Sequence, residues 1–108
     1  SLTDQDLMNL KHWGMNSIRL HAAWEGVEPL KGVYNYTYVE TLKEIMRKCD
    51  RYGISVLLDA HQDLFVRQFC GEGLPVWVVQ RDSFPAPLKL KMRFDDEGFP
   101  LRADCLKV

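Results

Sequence analysis

The chain has 108 residues, 46% apolar and 27% charged, which excludes a disordered chain and leaves room for one small domain with a modest core. With 14 basic and 15 acidic residues its net charge is −1, so it carries no electrostatic footprint for nucleic acid and no basic stripe. No apolar run approaches the roughly 20 residues needed to cross a bilayer, and Ser1-Leu2-Thr3-Asp4 has neither the basic start nor the apolar stretch of a signal peptide.

Residues 3–12 read as a helix, with Thr3 as its cap, Asp6 three residues on, and Leu7 and Leu10 on one face. Gly14 ends it. Residues 16–22 read as a strand in which Ile18 and Leu20 point one way and Arg19 the other. Residues 24–35 contain Gly26, Pro29 and Gly32 and read as a long connection. Residues 37–52 are the clearest helix. Val39, Leu42, Ile45, Met46 and Cys49 form an apolar stripe, Asn35 or Thr37 caps the start, and Gly53 suits the position just past the end.

Residues 54–59 read as a second strand, so nearly continuous in apolar residues that both faces are expected to be covered. A short helical turn is expected near 75–80. From residue 81 the pattern loses its period, and the alternation of Leu88, Leu90 and Met92 with Lys89, Lys91 and Arg93 suggests a short exposed strand. The chain therefore divides into an ordered segment, 1–80, and an irregular tail or insertion loop, 81–108.

Strand, helix and strand in that order form a crossover unit of a parallel α/β sheet. An open doubly wound sheet would offer a glycine-rich phosphate loop after a strand, and neither strand is followed by one. Polar and aromatic residues follow instead: Arg19, His21 and Trp24 after the first strand, and Asp59, His61 and Asp63 after the second. Such side chains at successive strand ends suit the top face of a (β/α)8 barrel. A whole barrel takes about 250 residues, so the expected fold is a partial TIM barrel of about two βα units. Cys49, Cys70 and Cys105 include no C-x-x-C pair, which argues against zinc. Cys49 falls on the helical stripe as a small core residue, and one disulfide, such as Cys70 to Cys105, is left open.

Gly14-Met15-Asn16-Ser17-Ile18-Arg19-Leu20, Trp24-Glu25-Gly26-Val27-Glu28-Pro29 and Gly32-Val33-Tyr34-Asn35 with Tyr38 resemble the second βα unit of family 5 glycoside hydrolases of clan A. Tyr52-Gly53-Ile54 through Leu58-Asp59-Ala60-His61-Gln62-Asp63 resembles the third strand of that barrel. His61-Gln62-Asp63 combined with Phe69-Cys70-Gly71-Glu72-Gly73-Leu74-Pro75-Val76-Trp77 resembles the endoglycoceramidase branch. The resemblance covers residues 3 to about 80.

The resemblance implies a retaining hydrolase that splits the β-linkage between oligosaccharide and ceramide, without metal or cofactor. Arg19 matches the arginine that holds the nucleophilic carboxylate. His61 matches a histidine that bonds sugar hydroxyls next to the cleaved bond, and Asp63 matches an aspartate that also contacts the sugar. The family's acid/base lies in an Asn-Glu pair after the fourth strand and its nucleophile after the seventh. This sequence has no Asn-Glu pair, so neither catalytic glutamate is expected within these residues and the segment alone is expected to be inactive. The resemblance further implies a glycolipid or oligosaccharide substrate, transient contact with lipid surfaces, and a secreted or lysosome-like location. Two other readings stand beside it: a hydrolase of the same family acting on another β-glucoside, and a truncated, non-catalytic product.

Trp24 reads either as an aromatic platform for a sugar face or as an anchor for its loop. Phe69 and Trp77 read as packing residues that offer a lipid-side wall as the alternative. Asp63 has a competing reading as a cap for the segment after it. Asp59 reads as structural, bonding backbone or Arg19. Glu25, Glu28 and Glu72 read as loop salt bridges or caps.

Overall fold

The structure is a computed structural model and describes residues 2–79, 93–97 and 99–105. Helix α1 (Asp4–His12) begins in a reciprocal cap. The Thr3 hydroxyl accepts from the Asp6 amide at 3.2 Å, and the Asp6 carboxylate accepts from the Thr3 amide at 2.8 Å. Strand β1 (Ser17–His21), a single helical turn α2 (Trp24–Val27), helix α3 (Tyr36–Arg51) and strand β2 (Ser55–Asp59) follow. Asn35, rather than Thr37, caps α3, accepting from the Tyr38 amide at 3.1 Å. Gly53, with φ of 64°, takes the left-handed turn into β2.

β1 and β2 pair in parallel, with Ser17 opposite Ser55, Arg19 opposite Leu57 and His21 opposite Asp59. Leu7 of α1, Cys49 of α3 and Ile54 form the buried cluster, with Ile18 and Val56 packed against it. Both helices thus cover the sheet face that carries Ile18 and Val56. Leu7 is fully buried, which is worth about 1.5–3 kcal/mol relative to exposure. Cys49 is the small core residue its spacing suggests.

Three features differ from the sequence reading. The second strand is covered on one face only: Leu57, on the face opposite the helices, is 66% exposed, because among the described residues no layer faces that side. The stretch 24–35 is not a plain connection, since Trp24–Val27 closes one helical turn. Tyr38 holds that turn: its hydroxyl accepts from the Ala23 amide at 3.2 Å, and its ring lies where a Cβ on Gly26 would come within 2.7 Å. Four residues are too few for a helical period to show in sequence.

The third difference is at the tail. Ahead of it the helical turn expected near 75–80 does form, as a 3-10 turn at Val76–Val78, and a second lies at Arg67–Phe69; the difference lies in the order found beyond them. Helix α4 (Arg102–Cys105) closes a short hairpin in which Phe94 bridges Pro100. Arg93 grips the buried Asp104 through both carboxylate oxygens, at 2.9 and 3.0 Å. Cys105 is disulfide-bonded to Cys70, tying this hairpin to the loop after β2. The suggested strand over 88–93 and the division at 81 lie outside the described residues, apart from Arg93.

Candidate functional site

Strand alternation places Arg19 and His21 on the sheet face opposite Ile18 and Leu20, and Asp59 beside them on β2. At this carboxyl end the strands release their chains into loops. Arg19 Nε donates to Asp59 Oδ2 at 2.6 Å, and Arg19 Nη2 lies 3.1 Å from His61 Nδ1. Asp59 Oδ2 is 3.4 Å from the same ring nitrogen. A guanidinium only donates, so His61 Nδ1 serves as its acceptor. In the neutral ring the proton then sits on Nε2, which is left to donate to a ligand. Asp59 is the structural partner of Arg19 that its position suggests.

The loop after β2 closes on itself. Asp63 and Glu72 exchange backbone hydrogen bonds at 3.0 and 2.8 Å. The cap within this loop comes from Gln62, whose Oε1 accepts from the Phe65 amide at 2.9 Å. The capping role considered for Asp63 therefore falls to its neighbour. The chain turns through positive φ at Leu64, Phe65 and Cys70, a conformation that costs side-chain-bearing residues energy and gathers near functional sites. Among the described residues the Asp63 carboxylate has no hydrogen-bond or ion-pair partner. It lines a crevice of about 140 Å³ with Leu64, Cys70, Gly71 and Glu72. Arg19 and His61 are thus brought into contact, whereas Asp63 stands two residues further along the same loop without a bond to them.

Trp24 belongs to a different cluster. Its ring meets Trp77 edge to face, with centroids 5.5 Å apart at 86°, and its indole donates to Glu28 Oε2 at 2.8 Å. Glu28 also accepts from the Gly32 amide, and its backbone carbonyl accepts from Trp77 Nε1 at 3.0 Å. The Gly32 amide first, and the Trp24 indole second, hold the Glu28 carboxyl below the usual carboxylate range. Trp24 thus anchors its loop, the reading favoured from its sequence, and the residue remains 42% exposed.

Sequence reasoning missed how the two loops are joined. The Glu25 amide donates to the Gly73 carbonyl at 3.0 Å, and the Gly73 amide donates back to Glu25 Oε1 at 3.0 Å. Glu25 Oε2 also pairs with Arg67 at 3.2 Å. Gly73, at φ of 105°, passes so close to the preceding loop that a Cβ there would lie 2.4 Å from the His61 carbonyl oxygen. Glu25 and Gly73 stand 48 residues apart, and no local pattern links them. Among the described residues no group of three or more His, Cys, Asp or Glu side chains is placed to hold a metal ion.

Adjacent parallel strands, helices on one side and a charged cluster at the carboxyl ends describe a segment of a (β/α)8 barrel. The glycosyl hydrolase family 5 (cellulase) pattern matches residues 2–96, and the chain belongs to that family. It is 40% identical over 111 residues to an endoglycoceramidase of Cyanea nozakii and 38% identical to one of Hydra vulgaris; each match takes in 99% of this chain and 22% of the relative. Endo-glycoceramidase II from Rhodococcus sp., solved as a five-membered iminocyclitol complex, aligns with a TM-score of 0.69 at 31% identity, over 79% of this chain and 20% of that one. Cryptococcus neoformans sterylglucosidase 1, solved with tris, aligns at 0.63 and 38% identity, over 68% of this chain and 10% of that one.

Proposed function

We propose that this chain contributes two βα units, and one wall of the sugar site, to a retaining hydrolase that cleaves the β-bond between oligosaccharide and ceramide. The observation that carries the reading is the Arg19–Asp59–His61 cluster at the ends of neighbouring parallel strands. Arg19, anchored by Asp59, holds the nucleophilic carboxylate, and His61 Nε2–H donates to a sugar hydroxyl. Asp63, whose carboxylate has no partner among the described residues, accepts from a second hydroxyl. Trp24 offers its exposed face to the glycan.

The two reacting carboxylates, about 5 Å apart in a retaining enzyme, come from other parts of the full-length protein. One attacks the anomeric carbon to form a glycosyl ester while the other protonates the departing ceramide oxygen; water, deprotonated by the second, then releases the sugar. The Cys70–Cys105 bond supports folding in an oxidising compartment, as in secretion.

Fluorescent glycosphingolipid offered to the full-length protein and to the 108-residue chain tests the proposal. Release of intact oligosaccharide by the former alone is expected. Turnover by the bare chain, or no release by either, overturns it. The 38% identity to a sterylglucosidase favours a second reading, a sterol or simple ceramide glucoside as substrate, and sterylglucoside in the same assay separates the two.

A further inference from the structure

We infer that His21 is a positioning residue for His61: it fixes the backbone and ring of that histidine from the neighbouring strand. The inference rests on the sugar-site reading for its consequence, though not for its geometry. His21 is the last residue of β1 and pairs in register with Asp59, two residues before His61. Its Nε2 lies 3.3 Å from the His61 carbonyl oxygen. A carbonyl only accepts, so Nε2 of His21 carries the proton. The two imidazoles also meet edge to face, with centroids 5.6 Å apart and planes at 90°, a favoured aromatic arrangement.

His61 is therefore held at three points. Arg19 Nη2 approaches its Nδ1 at 3.1 Å, His21 packs against its ring, and His21 Nε2 binds its carbonyl. Asp59 Oδ2, at 3.4 Å, would favour a proton on Nδ1. That oxygen is already engaged by Arg19 Nε at 2.6 Å, and the guanidinium nitrogen stands closer to the ring, so the Nε2–H form prevails. Arg19 selects that form only while the ring keeps its orientation. Without His21 the ring can turn about its side-chain bonds, Nδ1 leaves the guanidinium, and the selection is lost.

The test uses the full-length protein labelled with 15N-histidine, read by long-range 1H–15N correlation of the imidazoles. The His61 signal is identified by its loss in His61→Ala. In the unsubstituted protein His61 should show the Nε2–H pattern alone. His21→Ala should turn it into a mixture and raise KM for the glycolipid about threefold to tenfold, the worth of one hydrogen bond, with kcat changed less. His21→Gln, which keeps a donor, should restore both. Should His21→Ala fail to fold, His21→Phe keeps the ring packing, removes the donor and should give the mixed pattern.

A His61 signal unchanged by removing the donor, or an Nδ1–H pattern in the unsubstituted protein, overturns the inference. A mixed pattern in His21→Ala, combined with unaltered sugar binding in His61→Ala, upholds the positioning role and overturns the sugar-site reading instead.

Discussion

Arg19 and Asp59, 40 residues apart in sequence, are joined from strand to strand by a 2.6 Å hydrogen bond between guanidinium and carboxylate. The same guanidinium extends a second nitrogen to His61. Arg19 is 61% exposed, and an ion pair that open adds about 0–1 kcal/mol to stability. Its value lies in geometry, because Asp59 aims a planar fork that would otherwise swing freely.

Arg19→Lys should therefore separate geometry from charge. An ammonium is a point donor and cannot hold Asp59 Oδ2 and His61 Nδ1 in the same plane. We expect catalysis by the full-length protein to fall at least about tenfold, while the melting midpoint moves little. Parallel turnover and thermal-melt measurements check this; an unaltered kcat/KM would remove Arg19 from the site.

Gly73→Ala should destabilise the loop pair. The residue sits at φ of 105°, and its new Cβ would meet the His61 carbonyl oxygen and Gln62 Cα at 2.4 and 2.6 Å. Both atoms are backbone, so relief requires the chain to shift. A loss of about 2 kcal/mol or more is expected, read by denaturant unfolding, together with weaker glycolipid binding.

Breaking the disulfide should release the 93–105 hairpin from the loop after β2. Cys70 and Cys105 are 35 residues apart, and a closed loop of that length is worth about 3–4 kcal/mol by chain entropy. Cys105→Ser, or the reduced protein, should unfold at correspondingly lower denaturant. Cys49 gives an internal control: burial raises its thiol above the ordinary cysteine value. Alkylation of Cys49 should be slow in the native protein and rapid only after unfolding.

Acid should loosen the first loop before the core fails. The folded-state value of the Glu28 carboxyl is depressed, chiefly by the Gly32 amide. Its stabilising contribution is then fully present above the unfolded value and lost as pH falls through the folded one. The fluorescence of Trp24 and Trp77, which share Glu28 as a partner, should report that transition. Glu28→Gln should abolish the pH step, since an amide side chain does not titrate in this range.

The elements whose chemistry is local were legible in the sequence. Thr3 with Asp6, Asn35 ahead of α3 and the apolar stripe ending at Cys49 each act within a few residues, and each forms as written. Arg19 beside Asp59 was legible because a strand that ends in charged residues must find partners for them. The turn at Trp24–Val27 depends on the Tyr38 ring, and the Gln62 cap depends on how its loop closes. Neither leaves a periodic trace. The open face around Leu57 was misread because continuous apolar residues show that a strand is suited to burial, and the covering layer must be supplied from elsewhere.

The reciprocal bonds between Glu25 and Gly73 turn two separate rim segments into one mechanical part. A push on either is felt by the other, and through Gly73 by the peptide of His61. Anyone regrafting this rim to alter substrate preference has to transplant both segments together; an exchange of one alone would leave its counterpart without an anchor.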